Sequence, residues 1–312
     1  MLYQSALGVV VISGAANNTP PPGQPYFNNV GLVNGGTAIY LGNQWVLSAA
    51  HVAGTVPATA SFGGTSYATQ ADSFHRLHDP TTLLSPSPIF TDLVIFRLNS
   101  DPGISALAIA SGTPTVGKEV MMIGAGRQQA ASPTYWQQTF VPGNNNDIWT
   151  ELTPPNSNIN AAGYQTTNAP RVPKWGLNNV ADSSETLNYG LGPVELFVTT
   201  FDSINGKPDE AQGVGGDSGG AVFAHDGAQW LLSGVMLVVG NYDNQPGGGN
   251  SALLGNETYS ADLSKYRDEI FTYATIPEPS NAVFACISFA ALCMRRRRSI
   301  KALSHRAPAA PL

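Results

Sequence analysis

The chain has 312 residues, of which 42% are hydrophobic and only 12% are charged, and it contains 33 glycines and 23 prolines. This composition favours many short strands joined by turns, because long solvent-facing helices need more Glu and Lys. Residues 277–312 contain six of the 15 basic residues but only one of the 21 acidic residues, so residues 1–276 carry a net charge near −11. An acidic body of this kind argues against nucleic-acid binding.

The cysteines and histidines give little sign of a metal or a cofactor. Both cysteines, Cys286 and Cys293, lie near the C-terminus, so the body has neither a disulfide framework nor a cysteine-based zinc site. His75 and His78 are three residues apart, and Asp79 follows them. We expect these two histidines in a solvated loop, and we predict no metal and no cofactor.

Much of the chain reads as short strands. Residues 1–13 are apolar but lack a basic segment, so we expect a first β-strand of the body there, with a poor signal peptide as the alternative. Apolar residues 39–41 and 45–47 flank Gly42-Asn43-Gln44, which predicts a hairpin. Further strands are expected at 93–96, 120–123, 196–201, 221–223 and 229–239. Strands recurring with turn residues between them indicate an all-β sandwich or barrel.

Two later segments depart from this rhythm. Residues 128–188 are rich in Asn, Pro, Thr and Gln and carry several aromatic residues. A structureless loop of this length is unusual in a compact domain, so we expect hairpins lying over the surface and bordering a substrate groove. Residues 262–271 predict a helix, which Asp262 can cap and in which Leu263, Tyr266 and Ile270 share one face.

A glycine-rich stretch presents a serine in a setting suited to nucleophilic catalysis. Residues 213–220 read Gly-Val-Gly-Gly-Asp-Ser-Gly-Gly. Glycine lets the backbone bring amide N–H groups close to the Ser218 hydroxyl, and the N–H groups of Gly216 and Ser218 would form an oxyanion hole. A glycine-rich turn between strands is the structural alternative.

Two residues upstream could serve this serine. His51 follows the apolar strand pattern 46–50, and Asp92 precedes the apolar run 93–96. Each alone is more often structural. Together they supply a general base, His51, and a buried carboxylate, Asp92, that would fix the tautomer of the imidazole.

These motifs resemble the trypsin/chymotrypsin-like serine peptidases over about residues 28–272. The similarity rests on the order His, Asp, Ser and on five segments, namely 35–39, 45–51, 91–95, 124–126 and 216–220. It implies two six-stranded antiparallel β-barrels with a C-terminal helix, one over residues 1–112 and the other, with the helix, over 113–272. It further implies an endopeptidase that acts on protein or peptide substrates through an acyl-enzyme, with His51 as base, Asp92 as its orienting group and Ser218 as nucleophile.

Two departures from the family pattern concern activation and specificity. In the family a new N-terminus pairs with the acid before the serine, here Asp217, but no matching sequence precedes residue 30. We therefore expect activity without that cleavage, or another partner for Asp217. The base of the specificity pocket falls on Gln212 and a lining position on Leu237, so strict cleavage after Lys or Arg is not expected.

The C-terminal residues 273–312 resemble a PEP-CTERM sorting signal. Pro277-Glu278-Pro279 precedes the apolar segment 282–294 and then four arginines, Arg295 to Arg298. The resemblance implies a short apolar tail helix, export in a Gram-negative bacterium, transient anchoring in the membrane and removal of the tail by an exosortase. Thirteen apolar residues are fewer than the roughly 20 that span a bilayer as a helix, and an interfacial anchor is the alternative.

A function of another class also fits the sequence. The chain could be a catalytically silent cell-surface binding protein on a protease scaffold, with residues 128–188 as its contact surface. The complete set of Ser218, His51 and Asp92 favours the enzyme.

Overall fold

The computed structural model describes residues 8–55, 57–143, 146–202 and 207–274, which are mostly β-strand. The strands are β1 (Val10–Val11), β2 (Val30–Val33), β3 (Gly36–Gly42), β4 (Trp45–Ala49), β5 (Thr59–Phe62), β6 (Thr65–Ala68), β7 (His75–His78), β8 (Phe90–Arg97), β9 (Glu119–Gly124), β10 (Gln128–Gln129), β11 (Thr134–Thr139), β12 (Ile148–Leu152), β13 (Ala161–Thr167), β14 (Lys174–Asn188), β15 (Pro193–Thr200), β16 (Ala211–Gln212), β17 (Ala221–His225), β18 (Trp230–Gly240), β19 (Ser251–Leu253) and β20 (Glu257–Asp262). The α-helices in this part are α1 (Ala50–Ala53) and α2 (Leu263–Tyr273), and short 3-10 turns lie at Phe27–Asn29, Ala71–Ser73, Pro80–Thr82 and Gly248–Asn250. The prediction of a mainly β chain is confirmed.

Strands β2 to β8 form a seven-stranded antiparallel sheet in the order β6-β5-β2-β3-β4-β8-β7. Its β3–β4 hairpin turns where predicted, through Gly42, Asn43 and Gln44, which all have positive φ. Thr69, after β6, bridges to Leu98, after β8, so the two ends of the sheet approach each other. The sheet has seven strands, one more than predicted, because β7 adds to β8 at its edge. A closed first barrel stays a prediction.

The second half contains a closed six-stranded barrel in the order β14-β15-β20-β18-β17-β9, all pairs antiparallel. This confirms one of the two predicted barrels. Its apolar interior, with Ile123, Phe223 and Val235, is continuous with Leu47 and Ile95 of the first sheet in one buried cluster. The strands that carry the site residues are therefore held by a shared core.

The polar segment 128–188 has two different structures. Strands β10 to β13 form a separate sheet with β19, which contains the expected hairpins. Residues 174–188, in contrast, are the 15-residue barrel strand β14 and not part of a surface excursion. The sequence conceals this strand because three of its buried positions, Lys174, Gly176 and Asn178, are not apolar, so the usual alternation of apolar and polar residues is absent.

Of the N-terminal apolar residues, Val10 and Val11 form a strand of the body, as expected, and residues 1–7 lie outside the described part of the chain. β1 pairs with β16 in antiparallel fashion, and Val10 and Val11 are fully buried. The side chain of Gln129 fixes this strand, because it accepts from Val11 N at 2.9 Å and donates to Val11 O at 2.8 Å.

Helix α2 closes the described chain and confirms the predicted helix. Asp262 accepts a hydrogen bond from Ser264 N at 3.0 Å, and Leu263, Tyr266 and Ile270 are buried on one face. The predicted tail helix, the cysteines and the arginine cluster lie outside the described residues. Within the described residues, no helix is long and apolar enough to cross a membrane.

Candidate active site

His51 and Asp92 lie on neighbouring strands and contact each other directly. His51 is in α1, which follows β4, and Asp92 is in β8, which pairs with β4 so that Ala49 lies opposite Leu93. His51 Nδ1 is 2.6 Å from Asp92 Oδ2, and His51 N donates to Asp92 Oδ1 at 2.8 Å. The carboxylate is fully buried, whereas the His51 side chain is 33% exposed. This contact favours the tautomer with a proton on Nδ1, which leaves Nε2 able to accept one.

Tyr189 is a third group at this carboxylate, one that was not predicted from the sequence. Its hydroxyl donates to Asp92 Oδ2 at 2.6 Å. Burial and the charge of Asp92 raise the pKa of Tyr189 above its ordinary value, so the phenol stays a donor. Tyr189 follows β14 and is 97 positions from Asp92, and no local motif marks it.

The Ser218 hydroxyl is engaged with the backbone of β18. Ser218 Oγ donates to Leu237 O at 3.1 Å. Among the described residues it makes no hydrogen bond to His51. The hydrogen bond between nucleophile and base that the sequence interpretation implies is therefore not formed in this conformation, because the hydroxyl is turned towards β18.

Ser218 nevertheless lies beside the helix that carries His51. Its carbonyl accepts from Thr37 N at 3.0 Å. A Cβ built on Gly36 would lie 2.5 Å from Val52 Cγ1 and 3.2 Å from Ser218 O. Gly36 thus separates the residue next to His51 from Ser218, and any larger side chain there would push the two apart.

The N–H group of Gly216 has no acceptor among the described residues, and a hydrogen bond to the carbonyl of the same peptide sets its direction. The carbonyl of Gly215 accepts from Arg127 N at 2.9 Å. The N–H and C=O of a trans peptide point in opposite directions, so this bond directs Gly216 N–H away from Arg127. In the described residues Gly216 N donates to no acceptor.

The N–H group of Ser218 is held in the same manner. The carbonyl of Asp217 accepts from Gly220 N at 2.8 Å, which turns Ser218 N–H to the other side of that peptide. No described residue accepts from Ser218 N. The two donors predicted for an oxyanion hole are both unengaged.

Asp217 is a buried carboxylate that organises this loop. It accepts from Gly126 N at 2.7 Å and from Val214 N at 2.9 Å, and Gly126 precedes the Arg127 amide that holds Gly215. A Cβ on Gly124 or Gly126 would lie within 2.6 Å of this carboxyl group, so both positions need glycine. Burial raises the pKa of Asp217 to about 7, against the opposing effect of the two N–H donors and of nearby Arg171 and Lys174.

Lys174 is a buried cation near Asp217. Its side chain is 1% exposed, and its Nζ donates to Gln129 Oε1 at 3.0 Å. Burial lowers the pKa of Lys174 to about 8, while the charge of Asp217 acts in the opposite direction. Asp217 therefore has cationic neighbours within the chain itself.

A pocket of 150 Å³ opens beside Ser218. Asp217 is the one ionisable residue that lines it among the described residues. Both oxygens of this carboxylate already accept backbone N–H groups. Leu237 is among the residues that line the pocket, and the full lining is Gly213, Val214, Gly215, Asp217, Ser218, Met236, Leu237, Val238, Val239, Gly249, Asn250 and Thr258.

Gln212 is not among the residues that line this pocket, contrary to the interpretation from the sequence. It lies in β16 opposite Val10 and is 1% exposed. Its Nε2 donates to Glu257 O at 2.8 Å. The pairing with β1 and this bond hold the side chain against β20, and the neighbouring Gly213 lines the pocket instead.

His75 and His78 lie in β7 and not in the solvated loop that was expected. His78 Nδ1 is 2.7 Å from Glu269 Oε1 of α2, and His75 stacks on Tyr273. Both histidines thus join β7 to α2. No group of three His, Cys, Asp or Glu side chains in the described residues could hold a metal ion.

Comparison with known proteins gives structural similarity at low identity. No family model and no curated protein matches the chain. A mutant of human heparin binding protein (CAP37) superposes with a TM-score of 0.49 at 13% identity, over 88% of this chain and 99% of that one. Neuropsin, a serine protease of mouse brain, gives 0.45 at 16% identity over 82% and 97%. A protease of M. tuberculosis in an inactive form gives 0.40 at 13% identity over 80% and 90%.

Proposed function

We propose that this protein is a serine endopeptidase that hydrolyses peptide bonds through Ser218, His51 and Asp92. One combination of features carries the proposal. Ser218, two N–H donors without acceptors and a pocket occur together at one loop, and His51, bound to the buried Asp92, lies beside it. Gly216 and Ser218 N–H suit an oxyanion, and their peptides are fixed by bonds on the far side.

The proposed reaction begins with a rotation of the Ser218 side chain. This rotation exchanges the 3.1 Å bond to Leu237 O for one to His51 Nε2. Ser218 Oγ then attacks the substrate carbonyl carbon while His51 takes its proton, and the oxyanion accepts from Gly216 and Ser218 N–H. His51 gives the proton to the leaving amine, and water hydrolyses the acyl-enzyme by the same groups.

Asp92 and Tyr189 act through His51 in this scheme. Asp92 holds Nδ1–H and stabilises the imidazolium, and the Tyr189 hydroxyl holds the carboxylate. The pocket at Leu237 would receive the side chain that precedes the scissile bond. No described side chain in this pocket offers a free charge that could pair with a charged substrate side chain. We therefore expect cleavage after uncharged residues.

One observation favours the second candidate, a catalytically silent binding protein. Ser218 Oγ bonds to Leu237 and not to His51. The β10–β13 sheet would supply the contact surface, on which Phe140 and Ile148 are 70% and 58% exposed.

Peptide hydrolysis by wild-type protein and by Ser218→Ala separates these candidates. We expect mass spectrometry of a mixed peptide library to show internal cleavage by the wild type. Loss of the nucleophile should reduce the rate by about 10⁶-fold. Folded wild-type protein that cleaves nothing, or equal cleavage by Ser218→Ala, would contradict the proposal.

We also propose that the protein is exported and that the tail is a sorting signal. The support is the sequence Pro277-Glu278-Pro279, the apolar segment and the arginine cluster. An exosortase-type enzyme would remove the tail after transient anchoring in the membrane. The intact mass of the protein from the cell envelope should lack the residues after this motif, and a full-length mass would refute processing.

A further inference from the structure

The guanidinium group of Arg171 covers the oxyanion loop. A Cβ built on Gly216 would lie 2.4 Å from Arg171 Nη1 and 2.8 Å from its Cζ. The φ of Gly216 is +95° and that of Gly35, which also faces Nη1, is +78°. The absence of side chains at these two glycines leaves room for the guanidinium directly beside one of the proposed oxyanion donors.

Among the described residues, no acceptor faces the buried Nη1 donor of Arg171. Nη1 is shielded from solvent and donates to no partner, and no other hydrogen bond joins the Arg171 side chain to a described residue. Asp217 is the nearby buried anion, but its two oxygens accept from Gly126 and Val214. A shielded guanidinium donor without an acceptor is costly, so an arginine in this position suits a ligand that brings one.

Arg171 also lines a cleft that is separate from the pocket beside Ser218. The cleft has a volume of 240 Å³, and its walls come from the first sheet and from the segment before β14, including Leu32, Ser61, Val172 and Pro173. None of its lining residues belongs to the Leu237 pocket. The two cavities are therefore distinct, and a group bound at Arg171 need not compete for the Leu237 pocket.

The chemistry of the proposed reaction indicates which part of the substrate reaches Arg171. The acyl part of the substrate places its last side chain in the Leu237 pocket. The leaving amine takes its proton from His51, which follows β4 of the first sheet, so the leaving segment runs towards that sheet. Gly35, Gly216 and Arg171 lie on this side.

We propose that Arg171 binds a carboxylate on the leaving-group side of the peptide substrate, an inference that rests on the proposed peptidase function. The planar fork of arginine matches a carboxylate with two parallel hydrogen bonds. The carboxylate is either an Asp or Glu side chain just after the scissile bond or the free C-terminus of a short substrate.

The test compares kcat/KM for peptides that are identical up to the scissile bond. One set carries Glu or Gln at the first or second position after it, with an amidated C-terminus, and another carries Gln with a free C-terminal acid. We expect the wild type to favour one carboxylate peptide about 10-fold over its neutral partner. Arg171→Gln should abolish this ratio, Arg171→Lys should keep part of it, and Lys118→Gln, at the turn before β9, should keep it fully.

The outcomes separate this inference from the proposed function. A preference for Glu assigns the side chain, and a preference for the free acid assigns the terminus. Cleavage without preference, or a preference unchanged in both Arg171 variants, overturns the inference and leaves the peptidase function. Absence of all cleavage by folded wild-type protein overturns both.

Discussion

Asp92→Asn should lower kcat for peptide hydrolysis by about 10⁴-fold while leaving the protein folded. Asp92 accepts from His51 N, His51 Nδ1 and the Tyr189 hydroxyl. An asparagine offers a single acceptor oxygen, and an amide NH₂ facing Nδ1 would favour the other tautomer, in which Nε2 carries the proton and cannot act as a base. Steady-state kinetics on a cleaved peptide would measure the loss.

Two variants make this result specific. Tyr189→Phe removes one donor to the carboxylate, and we expect kcat to fall about 10-fold with little change in KM. Asp262→Asn changes a buried acid to its amide at the start of α2, where asparagine caps as well as aspartate, and should leave kcat unchanged. Near wild-type kcat in Asp92→Asn would contradict the role given to this carboxylate.

Asp217→Asn should lower kcat by about 10²- to 10³-fold, the effect of losing one oxyanion donor. The carboxylate accepts two backbone N–H groups, from Gly126 and Val214, and asparagine can accept only one of them. The freed Gly126–Arg127 segment would no longer hold the Gly215 carbonyl, and Gly216 N–H would lose its direction. Kinetics against Asp262→Asn as control would measure the effect, and full activity in Asp217→Asn would refute this account of the loop.

The pH dependence of activity should follow the ionisation of Asp217. Its pKa in the folded protein is raised from 3.8 to about 7, so the folded state keeps a proton that the unfolded chain releases. The stability that this group contributes is therefore complete below pH 3.8 and is lost as the pH rises through about 7. Activity needs the ionised acceptor in addition to a His51 Nε2 that is free to accept a proton, so ionisation of Asp217 should make kcat/KM rise over the same upper range.

Lys174→Met tests that assignment within the same site. Removal of this cation takes away an interaction that lowers the pKa of Asp217, so the acid limb of kcat/KM should move to higher pH. Lys207→Met removes a lysine paired with Glu119, and its acid limb should stay where it is in the wild type. An unmoved limb in Lys174→Met would exclude Lys174 as a partner of Asp217.

The short-range features of this fold could be predicted from local patterns. The Gly42-Asn43-Gln44 turn and the α2 helix with its Asp262 cap each depend on residues a few positions apart. The proximity of His51 and Asp92 was predicted from resemblance, and it arises from the pairing of β4 with β8.

The features that the sequence did not reveal depend on contacts between distant segments. Tyr189 reaches Asp92 only because β14 belongs to the barrel, and the buried Lys174, Gly176 and Asn178 of that strand break the apolar pattern that marks a strand. Gln212 was placed in the pocket by counting back from Ser218, but its pairing with β1 turns it to Glu257. Arg171 lies 45 positions before Gly216 in the chain, and the two residues meet only in the folded protein.

Labelling with a fluorophosphonate, followed by peptide mapping, tests most directly whether Ser218 is an activated nucleophile. We expect one adduct, on Ser218, which forms in the wild type and in Asp262→Asn, is absent in Ser218→Ala and forms far more slowly in His51→Ala. Folded wild-type protein that stays unlabelled, or an adduct on another residue, would contradict the account.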